Sequence, residues 1–290
     1  MRTDGRTDAR APAPAESAAH DGERRSGGDR RRDARVRIAA VADIHCGMTD
    51  VGTYRDRLAA ANDAADVLVL AGDLTQRGSA EEFHVLVGEL ADVKVPVVAV
   101  LGNHDHESAQ VAQGTEMLRG RGVHVLCGDT FAMDERVGFA GVTGYMGGFG
   151  RGTLTAFGEE ATKAFVGVAI AEANRLELAL RGLRTPLRVV VLHYAPVQAT
   201  VVGEPESIYP FLGTDRLAAP IDRFGASLVF HGHAHTGRFR GETPGGVPVF
   251  NVSLPILHRE GKGSTFYVHE MQVPGEQRLP SEPAASEAAP

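Results

Sequence analysis

Five apolar runs in this 290-residue chain each stop at a short cluster of Asp, Asn and His. The clusters are Asp43-Ile44-His45, Gly72-Asp73, Gly102-Asn103-His104-Asp105, His193-Tyr194-Ala195-Pro196 and His231-Gly232-His233-Ala234-His235. Short continuous apolar runs read as strands buried on both faces, the kind found in α/β proteins. In open α/β sheets ligands bind beyond the carboxyl ends of the strands, so five such clusters should converge on one crevice. A lone Asp-x-His or His-x-His would mean little, because most single histidines are satisfied core or surface residues. Convergence carries the argument.

The segments between the runs support that reading. Strands are expected over Val36–Ala42, Val67–Ala71, Val95–Leu101 and Leu187–Leu192, with helices over Tyr54–Ala65, Ala80–Leu90 and Ser108–Arg119. Ser79 followed by Glu82 forms a capping box for the second helix. Past Val123 the pattern changes to short strands, Val137–Val142, Val247–Val252 and Thr265–His269, around one long helix near Phe157–Arg181. A second or mixed sheet follows from this change. No internal sequence repeat is visible.

Composition narrows the class. With 43% hydrophobic residues the chain can bury one sizeable core, and a net charge of −7 argues against broad nucleic-acid affinity. Two cysteines, Cys46 and Cys127, match neither a disulfide framework nor a zinc spacing. No run approaches a membrane span and the N-terminus lacks a signal-peptide core, so a cytoplasmic protein without membrane contact is expected. Residues 1–35 and 272–290 mix charged, Pro, Gly and Ala residues and are expected to be disordered tails around a catalytic domain at 36–271. Arg30, Arg31 and Arg32 are flanked by Asp29 and Asp33, a solvated mixed-charge tail more than a nucleic-acid arm.

The cluster residues supply oxygen and nitrogen donors and no thiolate, a set suited to Mn, Fe, Zn or Ni. An extended backbone would project Asp43 and His45 to one side. The carboxylate of Asp73 has two oxygens to share between ions, and Gly72 permits close backbone approach. The amide oxygen of Asn103 is a neutral ligand, and His104 can handle protons.

Taken in order, Asp-x-His, Gly-Asp, Gly-Asn-His-Asp, a post-strand His and Gly-His-x-His resemble the blocks of the calcineurin-like metallophosphoesterase superfamily, over about Val36–His269. That resemblance implies a four-layer αββα sandwich of two mixed sheets flanked by helices. It implies that Asp43, His45 and His235 bind one metal, that Asp73 bridges, and that Asn103, His193 and His233 bind the second. Mn or an Fe-containing pair is the usual occupant. It further implies hydrolysis of a small phosphomonoester or phosphodiester, with a metal-bridging hydroxide as nucleophile and His104 as the catalytic residue beside it. Cyclic-nucleotide phosphodiesterases are one subclass with these blocks.

One departure stands out: Gln76 occupies a position where many relatives carry an Asp that partners the catalytic histidine. Without that charge, His104 would be the weaker acid–base group. Two glycine-rich or acidic loops, 144–152 and 197–213, are candidate lids, and Arg151 in the first is a candidate phosphate contact. Cys46 reads as a small packed hydrophobe, and His231 and His106 as wall or supporting groups. The absence of a Gly-x-Ser-x-Gly elbow argues against a serine hydrolase. A non-catalytic scaffold of the same fold and a nuclease with a basic groove are the competing readings, and a homodimer is compatible with the sequence.

Overall fold

The apolar runs do pair as strands, and they form two sheets. The computed structural model describes residues 35–263 and 265–274, all within one compact unit. In the first sheet β1 (Arg35–Val41), β2 (Val67–Ala71), β3 (Val97–Val100) and β4 (Val123–Val125) run parallel. In the second, β5 (Thr130–Met133) pairs antiparallel with β6 (Val137–Gly141). Beyond β6 come β7 (Leu187–Val191), β8 (Leu228–His231) and β10 (Pro248–Asn251), all parallel, with β9 (Arg240–Glu242) antiparallel at the far edge. The chain returns through β11 (Tyr267–Gln272), which closes the first sheet antiparallel to β1.

Helices cover the outer faces. Helices α1 (Arg55–Ala59), α2 (Ala61–Ala64), α3 (Ala80–Glu89) and α4 (Val111–Gly120) alternate with the strands of the first sheet, and Leu58, Phe83, Leu86 and Leu118 join its core. The second sheet shows the two-residue period of a strand directly. Phe139, Val189, Val191 and Phe230 join the core shared with the first sheet. Their neighbours Ala140, Val190, Leu192 and Val229 pack against Leu176 and Leu180 of α5 (Glu160–Gly182) and Ile221 of α7 (Ala218–Arg223). Two short helices, α6 (Tyr209–Leu212) and α8 (Leu254–Arg259), lie near the strand ends. The result is the expected α/β arrangement: helices, sheet, sheet, helices.

The sheets are joined where the clusters lie. The Ala42 N–H donates to the Val252 carbonyl at 2.9 Å and the Leu254 N–H to that of Ala42 at 2.9 Å, tying the end of β1 to the end of β10.

Several local expectations shift. The Ser79–Glu82 capping box forms in full. The helix expected over Tyr54–Ala65 is broken at Ala60 into two short helices, with Leu58, Ala61 and Ala65 buried. The helix expected from Ser108 begins at Val111, since Ser108 spends both its N–H and its hydroxyl on the Arg77 carbonyl. The expected tails lie outside the described residues except for Arg35 and 272–274; Arg35 and Gln272 pair across β1 and β11 and belong to the sheet. Among the described residues no helix is long and apolar enough to cross a membrane.

Candidate metal centre

The five clusters meet at one end of the sandwich. Asp43, His45 and His235 place one donor atom each within 4.8 Å of one another, as do Asp73, His193 and His233, and a third group, His45, Asp73 and His104, links the two. Asp73 thus stands at the junction, with His193 Nε2 at 3.3 Å from Oδ1 and His45 Nε2 at 3.8 Å from Oδ2. Asn103 joins through its side-chain oxygen, 2.9 Å from His193 Nε2. Every metal-site residue read from the sequence is therefore in this cluster.

The backbone that aims them is not the extended one expected from the sequence. Asp43, His45, Asp73 and His233 have φ of 57°, 44°, 48° and 69°, four of the six non-glycine residues with positive φ among those described. Each costs about 1 kcal/mol or more, and such conformations persist where surrounding structure imposes them. Asp43 and His45 therefore reach the site through a left-handed turn and not through pleat alternation.

Glycines make the room. A Cβ on Gly72 (φ +87°) would lie 2.6 Å from His193 Cβ and Cγ, one on Gly102 2.9 Å from Asp73 Cγ, and one on Gly232 2.5 Å from Ala42 Cβ and closer to the Asp43 carboxylate. Each motif glycine thus seats a site residue from a different strand.

Buried hydrogen bonds orient the rings. The N–H at His193 Nδ1 donates to the Ala71 carbonyl at 3.2 Å, and His233 Nε2–H to the Phe211 carbonyl at 3.2 Å, leaving Nδ1 of His233 free for a ligand role. Asp43 accepts the His233 N–H at 2.9 Å and lies 3.0 Å from His235 Nε2. Burial holds His193 and His233 down at about 3 and His45 at about 4, so all three are neutral imidazoles with lone pairs to offer. Burial pushes the Asp43 carboxyl up to about 6, and the hydrogen bond that His235 donates to Asp43 raises His235.

These residues fit metal ions. With the Nδ1 proton of His193 given to Ala71, its Nε2 lone pair, Asn103 Oδ1 and Asp73 Oδ1 converge as three acceptors with no proton between them. Both ring nitrogens of half-buried His45 are shielded from solvent and lack any hydrogen-bond partner. A cation resolves both problems, and buried charge or lone pairs left without one would be costly.

His104 sits at the rim. Its N–H donates to Asp73 Oδ1 at 2.9 Å, its Nδ1 lies 2.7 Å from the Gln76 carbonyl oxygen, and its Nε2 faces Asp73 Oδ2 at 4.0 Å. The partner is the backbone of residue 76, so the loss of an acidic side chain at Gln76 removes less than the sequence implies. Arg151 lies on an exposed turn, Gly150–Gly152, outside the cluster. Cys46 is fully buried and its thiol is pushed up to about 12, as suits a packed hydrophobe.

Two supporting residues escaped the sequence reading. Buried Asp105 accepts from the N–H groups of Leu74, Thr75 and Gly102 and from the Thr75 hydroxyl at 2.7 to 3.1 Å, locking the Asp73 loop to the Asn103 loop. Tyr194 places its ring 4.5 Å from that of His233. Asp105 closes the Gly-Asn-His-Asp block, but only burial distinguishes it from a surface acid. The two candidate lid loops hold each other: Gly147 and Gly148 N–H groups donate to the Pro210 and Gly213 carbonyls, each at 2.8 Å.

The chain belongs to the calcineurin-like phosphoesterase family, whose model matches residues 36–237. A probable cyclic nucleotide phosphodiesterase of Fibrobacter succinogenes (strain ATCC 19169 / S85) is 32% identical over 80 residues, 24% of this chain and 31% of that relative's length. The phosphopantetheinyl hydrolase of Mycobacterium tuberculosis superposes with a TM-score of 0.58 at 17% identity, over 85% of this chain and 99% of that one, a likeness of fold. Family membership makes this a phosphoesterase fold with a metal-binding site.

Proposed function

We propose that this chain hydrolyses a small phosphomonoester or phosphodiester using two metal ions, one held by Asp43, His45 and His235, the other by Asn103, His193 and His233, with Asp73 shared. The observation that carries the reading is the convergence of His193 Nε2, Asn103 Oδ1 and Asp73 Oδ1 as acceptors around one point. Such an ion pair, when bound, offsets phosphoryl charge and makes a water acidic enough to attack near neutral pH. The protein's own contribution is to hold that constellation rigid and to manage a proton beside it. The Gln76 carbonyl fixes the Nδ1 proton of His104, so Nε2 is the atom that can hold a proton for the departing oxygen. The O,N donor set suits Mn, Fe, Zn or Ni, and the family resemblance favours Mn or Fe among them.

Hydrolysis of cyclic nucleotides is the narrower reading, favoured by the name of the Fibrobacter relative. The test is hydrolysis of p-nitrophenyl phosphate, bis-p-nitrophenyl phosphate and cyclic nucleotides with Mn, Fe, Zn and Ni in turn, beside metal analysis of Asp73→Asn and Asn103→Ala. We expect turnover with at least one metal, and loss of both bound metal and turnover in the variants. Wild-type protein that binds two equivalents of metal and cleaves none of these esters would refute the enzyme reading in favour of a scaffold.

A further inference from the structure

A cavity of about 810 Å³ opens beside the metal centre, between α4, α5 and the loop after β6, and Asn103 and Tyr194 form part of its wall. That volume suits an organic group of drug-like size and far exceeds what a phosphoryl group needs. We propose that it receives the alcohol side of the substrate, and that this side carries a flat, uncharged aromatic ring system; the inference rests on the phosphoesterase reading of the adjoining centre.

Three observations carry it. First, a line of rings leads from the centre into the cavity. His233 and Tyr194 have centroids 4.5 Å apart, Tyr194 and Tyr145 6.1 Å, and Tyr145 and Phe165 5.3 Å, all tilted. Tyr145 and Tyr194 are cavity wall, so a planar ring entering there meets aromatic faces and edges at favourable distances.

Second, the rest of the wall is largely apolar or adaptable: Leu101, Val111, Leu126, Met146 and Val168. Methionine sulfur adds a polarizable contact for a ring.

Third, the charges cancel. The wall carries Arg119 and Arg175 against Glu116 and Glu172. Arg175 is spent on Glu172 at 2.8 Å, whose other oxygen accepts the Gly144 N–H at 3.1 Å, and Arg119 donates to the Val125 carbonyl at 3.1 Å. With two acids against two arginines, and His106 lowered by burial, the wall offers a second phosphate no net positive charge, which disfavours a nucleoside diphosphate or other polyanionic alcohol.

The experiment is calorimetric binding of methyl-, cyclohexyl- and phenylphosphonate, with adenosine monophosphate as a fourth ligand, to the full chain loaded with Mn. The phosphonates share one anionic head, so their differences report the cavity. We expect phenylphosphonate to bind about tenfold or more tighter than methylphosphonate, because a buried ring removes apolar area from water. Val168→Trp and Ala112→Trp, on the α5 and α4 walls, should reduce that ratio fivefold or more while Mn content and methylphosphonate affinity stay at wild-type values. The chain has no tryptophan, so each variant also places a single fluorophore in the cavity, and its emission should respond to phenylphosphonate.

Adenosine monophosphate binding at least as tightly as phenylphosphonate would support the proposal with a nucleoside as the ring's source; weaker binding beside an intact phenyl preference would support a simple aryl alcohol. Equal affinities for phenyl- and methylphosphonate, or a ratio unmoved in both tryptophan variants, would overturn the assignment. Equal affinities for cyclohexyl- and phenylphosphonate would overturn its aromatic part. If methylphosphonate also fails to bind to Mn-loaded protein, the phosphoesterase reading falls and the cavity assignment with it.

Discussion

Gly102→Ala is the sharpest test of how the site is built. Gly102 is outside the left-handed region, so alanine meets no conformational penalty there, and by restricting the unfolded chain it would by itself stabilise by about 0.4 to 1 kcal/mol. The obstacle is Asp73. A Cβ would stand 2.9 Å from Asp73 Cγ, against 3.4 Å for an ordinary contact, and closer still to Oδ1 and to the backbone nitrogen. Relief therefore moves Asp73 by at least about 0.5 Å, and the backbone nitrogen does not swing away as a side chain would. Asp73 is also held by the His45 N–H at its carbonyl and by the His104 N–H at Oδ1, so the shift spreads to both. Overpacking of this kind costs about 1 to 3 kcal/mol, leaving a net destabilisation of up to about 2.5 kcal/mol. Misplacing the shared ligand by a large fraction of an ångström should lower kcat/KM about 100-fold. Thermal unfolding of metal-free protein gives the first quantity, bound metal per chain and bis-p-nitrophenyl phosphate hydrolysis the second. Gly120→Ala, where a Cβ meets nothing within 4 Å, is the control and should be neutral or slightly stabilising. A Gly102→Ala protein with two metals per chain and activity within about twofold of wild type would refute the steric argument.

Gln76→Ala should change kcat by less than about threefold, because His104 uses the backbone carbonyl of residue 76, whereas His104→Ala should cost about 100-fold with metal content retained; a large effect of Gln76→Ala on steady-state kinetics would contradict the assigned partner. Asp105→Asn turns a nitrogen toward one of the four donors that Asp105 now satisfies, and unfolding should show a loss of about 2 kcal/mol or more together with weaker metal retention. Metal-free protein should lose stability on acidification, as followed by Tm. His45, His193, His231 and His233 are neutral in the fold, held down at about 4, 3, 4 and 3, and protonate near 6.5 once unfolded. From pH 6.5 downward the unfolded chain therefore binds the extra protons, and unfolding free energy falls with pH. Asp43 and Asp105, raised to about 6, and His235, also raised, act in the opposite sense, but these three do not offset the four imidazoles, which His106 and His269, lowered too, reinforce. A Tm that rises between pH 7 and pH 5 would contradict this balance.

Strand existence and the order of the motifs were legible because buried parallel strands leave continuous apolar runs, and the donors follow them immediately. Val67–Ala71 matches to the residue and the capping box at Ser79 forms as read. What the sequence hides is whatever depends on a neighbour remote in the chain. The break at Ala60 has no local mark, since Leu58, Ala61 and Ala65 keep one helical face buried across it. The positive φ of Asp43, His45, Asp73 and His233 has no local signature, since none of these residues is glycine. Gln76 misleads for the same reason: a side chain can be read from the sequence, but the backbone carbonyl that replaces it as partner cannot. Asp105 and Tyr194 look ordinary until burial and ring geometry are known.

The placement of donors also decides what metal does for the fold. Asp43, Asp73 and Asn103 follow strands of the first sheet, and His193, His233 and His235 follow strands of the second. An ion bound by both sets closes a link across the sandwich at the end where β1 and β10 already touch. It also compensates lone pairs that the fold buries without partners, at His45 and around His193. The left-handed residues and crowded glycines are then the local cost of a geometry whose return comes only with the ion in place. Metal should accordingly raise Tm with the logarithm of its concentration above Kd, and the gain should vanish in Asp73→Asn, the residue proposed to be shared by both ions.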